Sequence, residues 1–408
     1  MKKVISLAVA LVLLCGTLAA CAPAAQEPAP GQPSATAPAT QGGAQPEGPK
    51  PAGEPIKIGL PAPLSGSSGA IGATLVNAAQ LAVNEVNAAG GIHGRPVELY
   101  TEDDEMTASK AVTVVNKLIY QDKVDALIGC LNSTACLAAQ ELTDKAGMIQ
   151  IALGSNYKIT ELGQKYVFRM QANDIYQAAA VVKYVVDTLG YKKVACLYAS
   201  DDFGTGGKNV VETELKNRGL ELVAVEAFDP DTSDVTSQLT SIKSANPEAV
   251  IMWCMYQPGA LICKQMNQLG MGDIPKFGGG GLVNKALYDL AGDTSVGLCM
   301  TQLFFPSIDA ANEKGKAFIT NYEAAYGMSP DNNSGMVYDA AMVLFTAMQN
   351  APETMTADEI KAELHKLEYD GVTGRITFNE KGDALRDLTI VRIAQGGAYE
   401  IAYNPNEQ

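Results

Sequence analysis

The chain has 408 residues, 47% of them apolar, which is too long for one ordinary hydrophobic core and sufficient to fill two. Its formal charge of −15 becomes −17 once Lys2 and Lys3 are removed with the leader described below. Such an excess of acid argues against a nucleic-acid-binding protein and against a basic membrane-surface patch.

The N-terminus has the pattern of an export signal. Lys2 and Lys3 precede an apolar stretch, residues 4–14, that is too short to span a bilayer as a permanent helix. Small residues then precede Cys21, as in the bacterial lipobox. We therefore expect residues 1–20 to be a lipoprotein signal peptide and Cys21 to be lipidated, which would anchor the extracytoplasmic protein to the outer face of the cell membrane. The alternative is an ordinary Ala-x-Ala cleavage at which Cys21 is incidental.

Residues 21–54 are rich in Pro, Ala, Gln and Gly and contain almost no large apolar side chain. This composition cannot bury a core, so we expect a disordered linker between the lipidated Cys21 and the folded part. A strand predicted at residues 56–60 begins the folded part.

From there, predicted strands and helices alternate in two series. The first series runs to residue 168, and the second restarts at residue 174. Such alternation implies parallel sheets covered by helices on both faces, so the two series predict two α/β lobes. Long helices and late strands complete the chain, at residues 310–326, 335–349, 357–367, 373–378 and 388–393.

One turn of the first series has the composition of an anion site. Residues 124–128 predict a buried strand and a helical pattern begins near residue 137, so Asn132, Ser133 and Thr134 lie where the strand ends and the helix starts. The first amides of a helix have no internal partner and lie at the positive end of its dipole, so they hold a carboxylate or phosphate well. The alternative is that Ser133 only caps its own helix.

The reactive residue types argue against a catalytic centre. Besides Cys15 of the leader and the anchor Cys21, the chain has six cysteines, none of them in a Cys-x-x-Cys motif. We expect mostly reduced thiols that pack as small apolar side chains, although an exported protein could pair them. His93 and His365 are the only histidines and have no ligand-spaced partner, so we expect no metal and no cofactor. Motifs of serine hydrolases, zinc peptidases and phosphate-binding loops are absent from the sequence, so we do not expect an enzyme.

Several short motifs occur in order along residues 56–403. They are Pro63-Leu64-Ser65-Gly66, Asn87-Ala88-Ala89-Gly90-Gly91-Ile92-His93-Gly94, Asp103-Asp104, Ile128-Gly129, Asp201-Asp202-Phe203-Gly204-Thr205-Gly206 and Tyr369-Asp370-Gly371-Val372-Thr373-Gly374. Their combination resembles the leucine/isoleucine/valine-binding-protein family. These are type I periplasmic binding proteins, the solute receptors of ABC importers.

This resemblance implies two doubly wound parallel-sheet lobes, joined by a three-strand hinge, with the ligand cleft between them. Lobe 1 would comprise residues 55–173 and 304–378, and lobe 2 residues 174–303 and 379–404. The resemblance also implies a monomer that captures a small carboxylate ligand by hinge closure and delivers it to an ABC permease. The ligand would be a branched-chain or other apolar amino acid, or a related apolar or aromatic acid. The alternative is a module that feeds a membrane sensor or receptor.

The resemblance further implies the residues of the cleft. Ser133 and Thr134, with Ser155 and Asn156 at the next strand end, match the groups that hold the ligand carboxylate. The positions that match the cleft walls are Ile71, Phe203, Tyr256, Gly280 and Tyr338. Structural alternatives are that Phe203 and Tyr338 are core aromatics and that Asn156 is a turn former.

Two features depart from the family pattern. Members that take α-amino acids carry an acid where this chain has Gly280, and a buried ammonium without a counter-charge is costly. Either another acid replaces it, such as Asp202 or Asp339, or the ligand is not an α-amino acid. In addition, a family disulfide near the site is absent, because its two positions match Met106 and Asn132.

Overall fold

The computed structural model of the protein describes residues 51–304, 312–386 and 388–404. The predicted signal peptide, the predicted lipidation site Cys21 and most of the predicted linker lie outside the described residues. Residues 51–54, which we predicted as the end of that linker, are bound to the folded chain. The Ala52 N–H donates to Gly94 O (2.7 Å), and Arg95 Nε donates to Glu54 O (2.8 Å). The folded part therefore begins about four residues earlier than predicted.

The first series of elements forms a parallel sheet covered by helices. In chain order the elements are β1 Ile56–Ala62, α1 Gly69–Ala88, β2 Val97–Asp103, α2 Ala108–Lys117, β3 Ala126–Ile128, α3 Ser133–Lys145, β4 Gln150–Ala152, α4 Lys158–Glu161 and β5 Val167–Arg169. The sheet has the strand order β2-β1-β3-β4-β5, and every pair in it is parallel. Its central strands β3 and β4 are fully buried, because helices cover both faces, and all their residues except Gln150 are apolar. This sheet is the core of lobe 1.

The second series builds lobe 2 in the same way. Its elements are α5 Asp174–Val182, β6 Val194–Ala199, α6 Asp202–Asn217, β7 Ala224–Phe228, α7 Thr236–Ser244, β8 Ala249–Trp253, α8 Tyr256–Gln268, β9 Lys276–Gly278, α9 Lys285–Ala291 and β10 Cys299–Gln302. The C-terminal strands β14 Thr389–Ile393 and β15 Tyr399–Tyr403 extend its sheet to the order β15-β14-β10-β9-β8-β6-β7. The two added strands are antiparallel, whereas the strands of the second series are parallel.

The segment between β10 and β14 returns to lobe 1. It contains α10 Glu313–Tyr326, α11 Asn332–Asn350, α12 Ala357–Lys366, β11 Tyr369–Gly371, β12 Gly374–Phe378 and β13 Ala384–Leu385. Helix α11 packs along α1, and its residues are buried on nearly every side. The chain thus passes between the lobes after β5, after β10 and after β13.

The last passage lies later in the chain than predicted. We placed it between residues 378 and 379, but β13 pairs with β12, and the Arg169 N–H donates to Gly382 O (2.8 Å). Residues 379–385 therefore remain with lobe 1, and the passage follows β13. The prediction missed this because β13 has only two residues, and its pairing depends on the tertiary structure around it rather than on a local sequence pattern.

The predicted fold class is confirmed, since a five-stranded and a seven-stranded sheet, each packed with helices, form the two lobes. The strands β11, β12 and β13 form a small third sheet. The prediction of buried thiols is also confirmed, because all six described cysteines are free and buried: Cys130, Cys136, Cys196, Cys254, Cys263 and Cys299. Burial raises the pKa of the Cys196 thiol to about 12. Within the described ranges, no helix is both long and apolar enough to cross a bilayer.

Candidate functional site

A cavity lies between the two lobes, where strands of both sheets end. Its empty volume is about 590 Å³, part of which is open to solvent. Lobe 1 contributes Met106, Leu131, Asn132, Ser133, Leu153, Gly154, Ser155, Gln171 and Asn333, and lobe 2 contributes Gln177, Asp201, Phe203, Met255, Tyr256, Gly280, Gly281 and Val283. A molecule in this cavity would contact both lobes at the carboxyl ends of their strands, which is where ligands bind in open α/β sheets.

Ser133 lies at the lobe 1 side of the cavity, as the first residue of α3. The helix is capped by the preceding residue, because Asn132 Oδ1 accepts the Ala135 N–H (3.0 Å). The alternative that Ser133 caps its own helix is therefore wrong. Its Oγ accepts the Asn156 N–H (3.1 Å), which leaves the hydroxyl proton for an acceptor in the cavity.

Ser155 lies beside Ser133, on the loop that follows β4. The buried Arg169 guanidinium holds this loop, because Nη1 donates to the carbonyls of Ser155 (2.9 Å) and Asn156 (2.6 Å). Arg169 in turn pairs with Asp383 through Nε (2.7 Å) and Nη2. The ion pair therefore fixes the backbone of Ser155 at the edge of the cavity.

The opposite wall is apolar and aromatic, and α6 and α8 position it. Phe203 lies in the first turn of α6, and its ring packs 6.3 Å from that of Trp253, measured between centroids. Met255 and Tyr256 stand at the start of α8. Burial and, secondarily, the charge of Asp331 raise the pKa of Tyr256, so its hydroxyl remains protonated at neutral pH.

The lobes contact each other beside the cavity. Asp202 N–H donates to Thr134 Oγ1 (3.4 Å), and Asn156 Nδ2 donates to Asp202 O (2.5 Å). Thr134 and Asn156, which we predicted as carboxylate-binding residues, thus join the lobes and do not line the cavity. Thr134 and Asn156 do follow the ends of β3 and β4, but the direction of their side chains depends on contacts with the other lobe.

Two of the predicted wall residues lie away from the cavity. Ile71 is 2% exposed in the core of lobe 1, where α1 packs on the sheet. The Tyr338 hydroxyl donates to Glu85, and its ring lies 4.7 Å from that of Phe318. The alternative role of Tyr338 as a core aromatic is therefore the one that the structure shows.

Gly280 lines the cavity, but its surroundings leave little room for a side chain. Its N–H donates to Gln177 Oε1 (2.8 Å), and a Cβ at Gly280 would lie 3.1 Å from that oxygen. Gln177 is itself held by Thr301 Oγ1 and by the carbonyl of Ala172. The Gly280 backbone therefore packs closely against the Gln177 side chain.

Met106 and Asn132, the positions of the missing family disulfide, are neighbours here. Asn132 Nδ2 donates to Met106 O (2.8 Å), and both residues line the cavity. A hydrogen bond thus connects the two loops that a disulfide would otherwise join.

Sequence reasoning missed other lining residues, above all Gln177, Asp201 and Asn333. Asp201 is followed directly by Asp202, and no local pattern shows which of the two aspartates lines the cavity. Gln177 and Asn333 lie on helices, α5 and α11, whose approach to the cavity depends on the packing of distant segments. Among the described residues, no group of three His, Cys, Asp or Glu side chains could hold a metal ion.

The chain resembles known proteins over most of its length. The family model described as periplasmic binding protein matches residues 55–398. An amino acid binding protein of Pseudomonas aeruginosa is 29% identical over 334 residues, which are 80% of this chain and 87% of that protein. The crystal structure of the leucine binding protein LivK of Thermotoga maritima is 27% identical, with a TM-score of 0.79, and covers 86% of this chain and 100% of its own. The branched-chain amino acid transporter substrate-binding protein LivJ of Streptococcus pneumoniae, solved with isoleucine, is 29% identical, with a TM-score of 0.76 and coverages of 85% and 98%.

Proposed function

Because the chain belongs to the periplasmic binding protein family, as its sequence resemblance predicted, we propose that it is the extracytoplasmic solute-binding protein of an ABC importer. One observation carries the proposal. Ser133, which begins α3, and Ser155 line one side of a cavity that both lobes build, and an apolar wall lines the other side. Hydroxyls and helix amides suit a carboxylate, and the wall suits an apolar side chain.

The ligand we propose is a small carboxylate with an apolar body. Ser133 and Ser155, with the first amides of α3, would hold its carboxylate. Phe203, Met255 and Tyr256 would cover its side chain. A branched-chain or other apolar amino acid fits this arrangement, as does a related apolar or aromatic acid.

We propose that binding proceeds by hinge closure. A ligand that touches Ser133 in lobe 1 and Phe203 in lobe 2 binds tightly only when the lobes meet, so it shifts the population towards the closed form. The bonds that Asp202 makes to Thr134 and Asn156 would form in the same step. A membrane permease would then recognise the closed outer surface, and the protein would act as a monomer without catalysing a reaction.

A thermal-shift screen of branched-chain, aromatic and hydroxy acids tests the proposal, because a ligand specific to the native state raises the melting temperature. For a ligand so found, Ser133→Ala is expected to weaken binding by about 1–3 kcal/mol, since it removes a hydrogen bond to a charged group. Isothermal titration calorimetry measures the loss. Ser244→Ala, which removes an exposed hydroxyl of α7, is the matched control. Equal affinity of the two variants would place the site elsewhere.

We also propose the lipid anchor at Cys21. In a bacterium that processes lipoproteins, the full chain is expected to incorporate labelled palmitate and to sediment with membranes, whereas Cys21→Ala incorporates no label. Cys15→Ala, which removes the other leader cysteine, is the matched control and should stay labelled. Label retained in Cys21→Ala would show that the anchor is attached elsewhere.

A further inference from the structure

Lobe 2 brings a carboxylate to the cavity that no described cation neutralises. Asp201 follows β6 and is the N-cap of α6, where its Oδ1 accepts the Gly204 N–H (2.7 Å). Within the described part of the chain, no Lys, Arg or His forms a salt bridge with Asp201. Asp201 is the carboxylate among the described lining residues, which include no Lys, Arg or His. A ligand in the cavity would therefore lie beside an acidic residue on lobe 2.

The other acids near the cleft are unsuitable for contact with a ligand. Asp339, which we considered from the sequence, is fully buried and accepts the N–H groups of Val372 and Thr373 (2.8 Å each). Asp202, the second acid we considered, does not line the cavity, and neither does Asp174, which is 0% exposed at the start of α5. At Gly280, where amino-acid-binding members of the family carry an acid, Gln177 occupies the adjacent space. Asp201 is thus the acid that remains in a position to contact a bound molecule.

The two sides of the cavity favour opposite charges. Ser133, Ser155 and the amides at the start of α3 favour a negative group on the lobe 1 side. Asp201 favours a positive group on the lobe 2 side. A plain carboxylic acid would place a second negative charge in the same small cavity, whereas a zwitterion would satisfy both sides.

We propose that Asp201 binds the ammonium group of the ligand, and that the site therefore takes a zwitterionic amino acid in preference to the matching acid without an amino group. This inference rests on the proposed function and narrows its ligand class. It assigns to Asp201 the role that relatives give to an acid at the position of Gly280.

The ionisation of Asp201 is consistent with this role. Burial raises its pKa above the ordinary value, the Gly204 N–H lowers it, and the charge of Asp202 raises it further. Its surroundings therefore stabilise the charged form of this carboxyl group less than water does. A cationic group from a ligand would supply the missing compensation.

Calorimetry with matched pairs of compounds tests the inference. Leucine is compared with 4-methylpentanoate, and phenylalanine with 3-phenylpropanoate, since the members of each pair differ by the ammonium group. The wild-type protein is expected to bind at least one amino acid 100-fold or more tightly than its partner acid. Asp201→Asn should weaken amino-acid binding by about 10- to 100-fold and leave the partner acid unchanged or improved, because asparagine keeps the helix cap and removes the charge.

Asp229→Asn is the matched control. Asp229 directly follows β7 at the same edge of the sheet, but it is exposed, and its Oδ1 accepts the Asp231 N–H (2.9 Å). This variant removes the same charge from lobe 2 and should retain the wild-type preference. An equal loss in both variants would overturn the inference, because the effect would then be one of net charge.

The remaining outcomes separate the inference from the proposed function. Partner acids that bind as tightly as the amino acids, or amino-acid binding that Asp201→Asn leaves unchanged, would overturn the role of Asp201 and leave the carboxylate site intact. If a broad screen of carboxylates yields no ligand, the proposed function fails, and the inference fails with it.

Discussion

Arg169→Met is expected to lower the free energy of unfolding by about 3–5 kcal/mol, because it leaves a buried carboxylate without its partner. Arg169 is 0% exposed, and Asp383, which it pairs with, is 3% exposed. Thr160 Oγ1 and Asn173 Nδ2 also donate to Asp383, but neither carries a charge. The substitution in addition leaves the carbonyls of Ser155 and Asn156 without the guanidinium N–H that they accept.

Urea denaturation of the purified protein measures this effect. Arg375→Met is the matched control, since Arg375 pairs with Glu368 at the surface, where both side chains are more than half exposed. Exposed pairs contribute about 0–1 kcal/mol, so the control should change stability little. Replacing both Arg169 and Asp383 by apolar residues should cost less than Arg169→Met alone. Equal stability of the Arg169 and Arg375 variants would contradict the structural role of the ion pair.

The ion pair also explains which part of the lobe boundaries could be predicted. The change of pattern after residue 168 is local, and in the structure β5 ends at Arg169 and α5 begins at Asp174. The partner Asp383 lies 214 residues later, in a segment that has no pattern of its own. A local pattern thus marks the start of α5 at Asp174, whereas no local pattern marks the passage after β13.

Helix ends show a similar limit. The helices α2 and α5 end at Lys117 and Val182, and the chain continues in wider π-type turns, Leu118–Asp122 and Lys183–Thr188. The apolar spacing is nearly the same in both kinds of turn, so the pattern cannot distinguish them. The existence and type of these helices followed from the sequence, but their ends did not.

The candidate site was predictable where strand ends and helix starts define it. Ser133, Ser155, Phe203 and Tyr256 all follow a strand directly or after a short loop, and all line the cavity. Tyr338 lies inside a helix that is buried on nearly every side, where an aromatic residue gives the same signal in a core as in a cleft. Burial by the other segments of lobe 1 decided its role, and the sequence does not show that burial.

Asp174→Asn is expected to stabilise the protein at pH 8 and to have little effect at pH 4. Asp174 begins α5 and is 0% exposed, and neither of its carboxylate oxygens has a hydrogen-bond partner among the described residues. Helix α6 approaches so closely that a Cβ at Gly206 would lie 2.8 Å from Asp174 Oδ2 and 2.6 Å from Nδ2 of Asn156 in lobe 1. The carboxyl group is therefore enclosed where the lobes meet.

Burial raises the pKa of Asp174 from 3.8 to about 7. The nearby Ser155 hydroxyl, the charge of Arg169 and the nearby Trp253 N–H lower this pKa in part, and the charge of Asp201 raises it slightly. The hydroxyl and the N–H act only by their proximity, because neither makes a hydrogen bond to the carboxylate. Because the pKa is higher in the folded state than in the unfolded chain, the folded state holds this proton more tightly. Its contribution to stability is complete below about pH 4 and is lost as the pH rises through 7.

Asparagine resembles the protonated carboxyl group at every pH, so it removes this loss. The gain in the free energy of unfolding should grow from about zero at pH 4 to about 2–4 kcal/mol at pH 8, since each pKa unit corresponds to about 1.4 kcal/mol. Denaturation of both proteins across this range measures the difference. Asp229→Asn, at an exposed position, should give a difference that does not change with pH in this way. A constant difference for Asp174→Asn would mean that its carboxylate stays ionised, which requires water or a cation to reach it between the lobes.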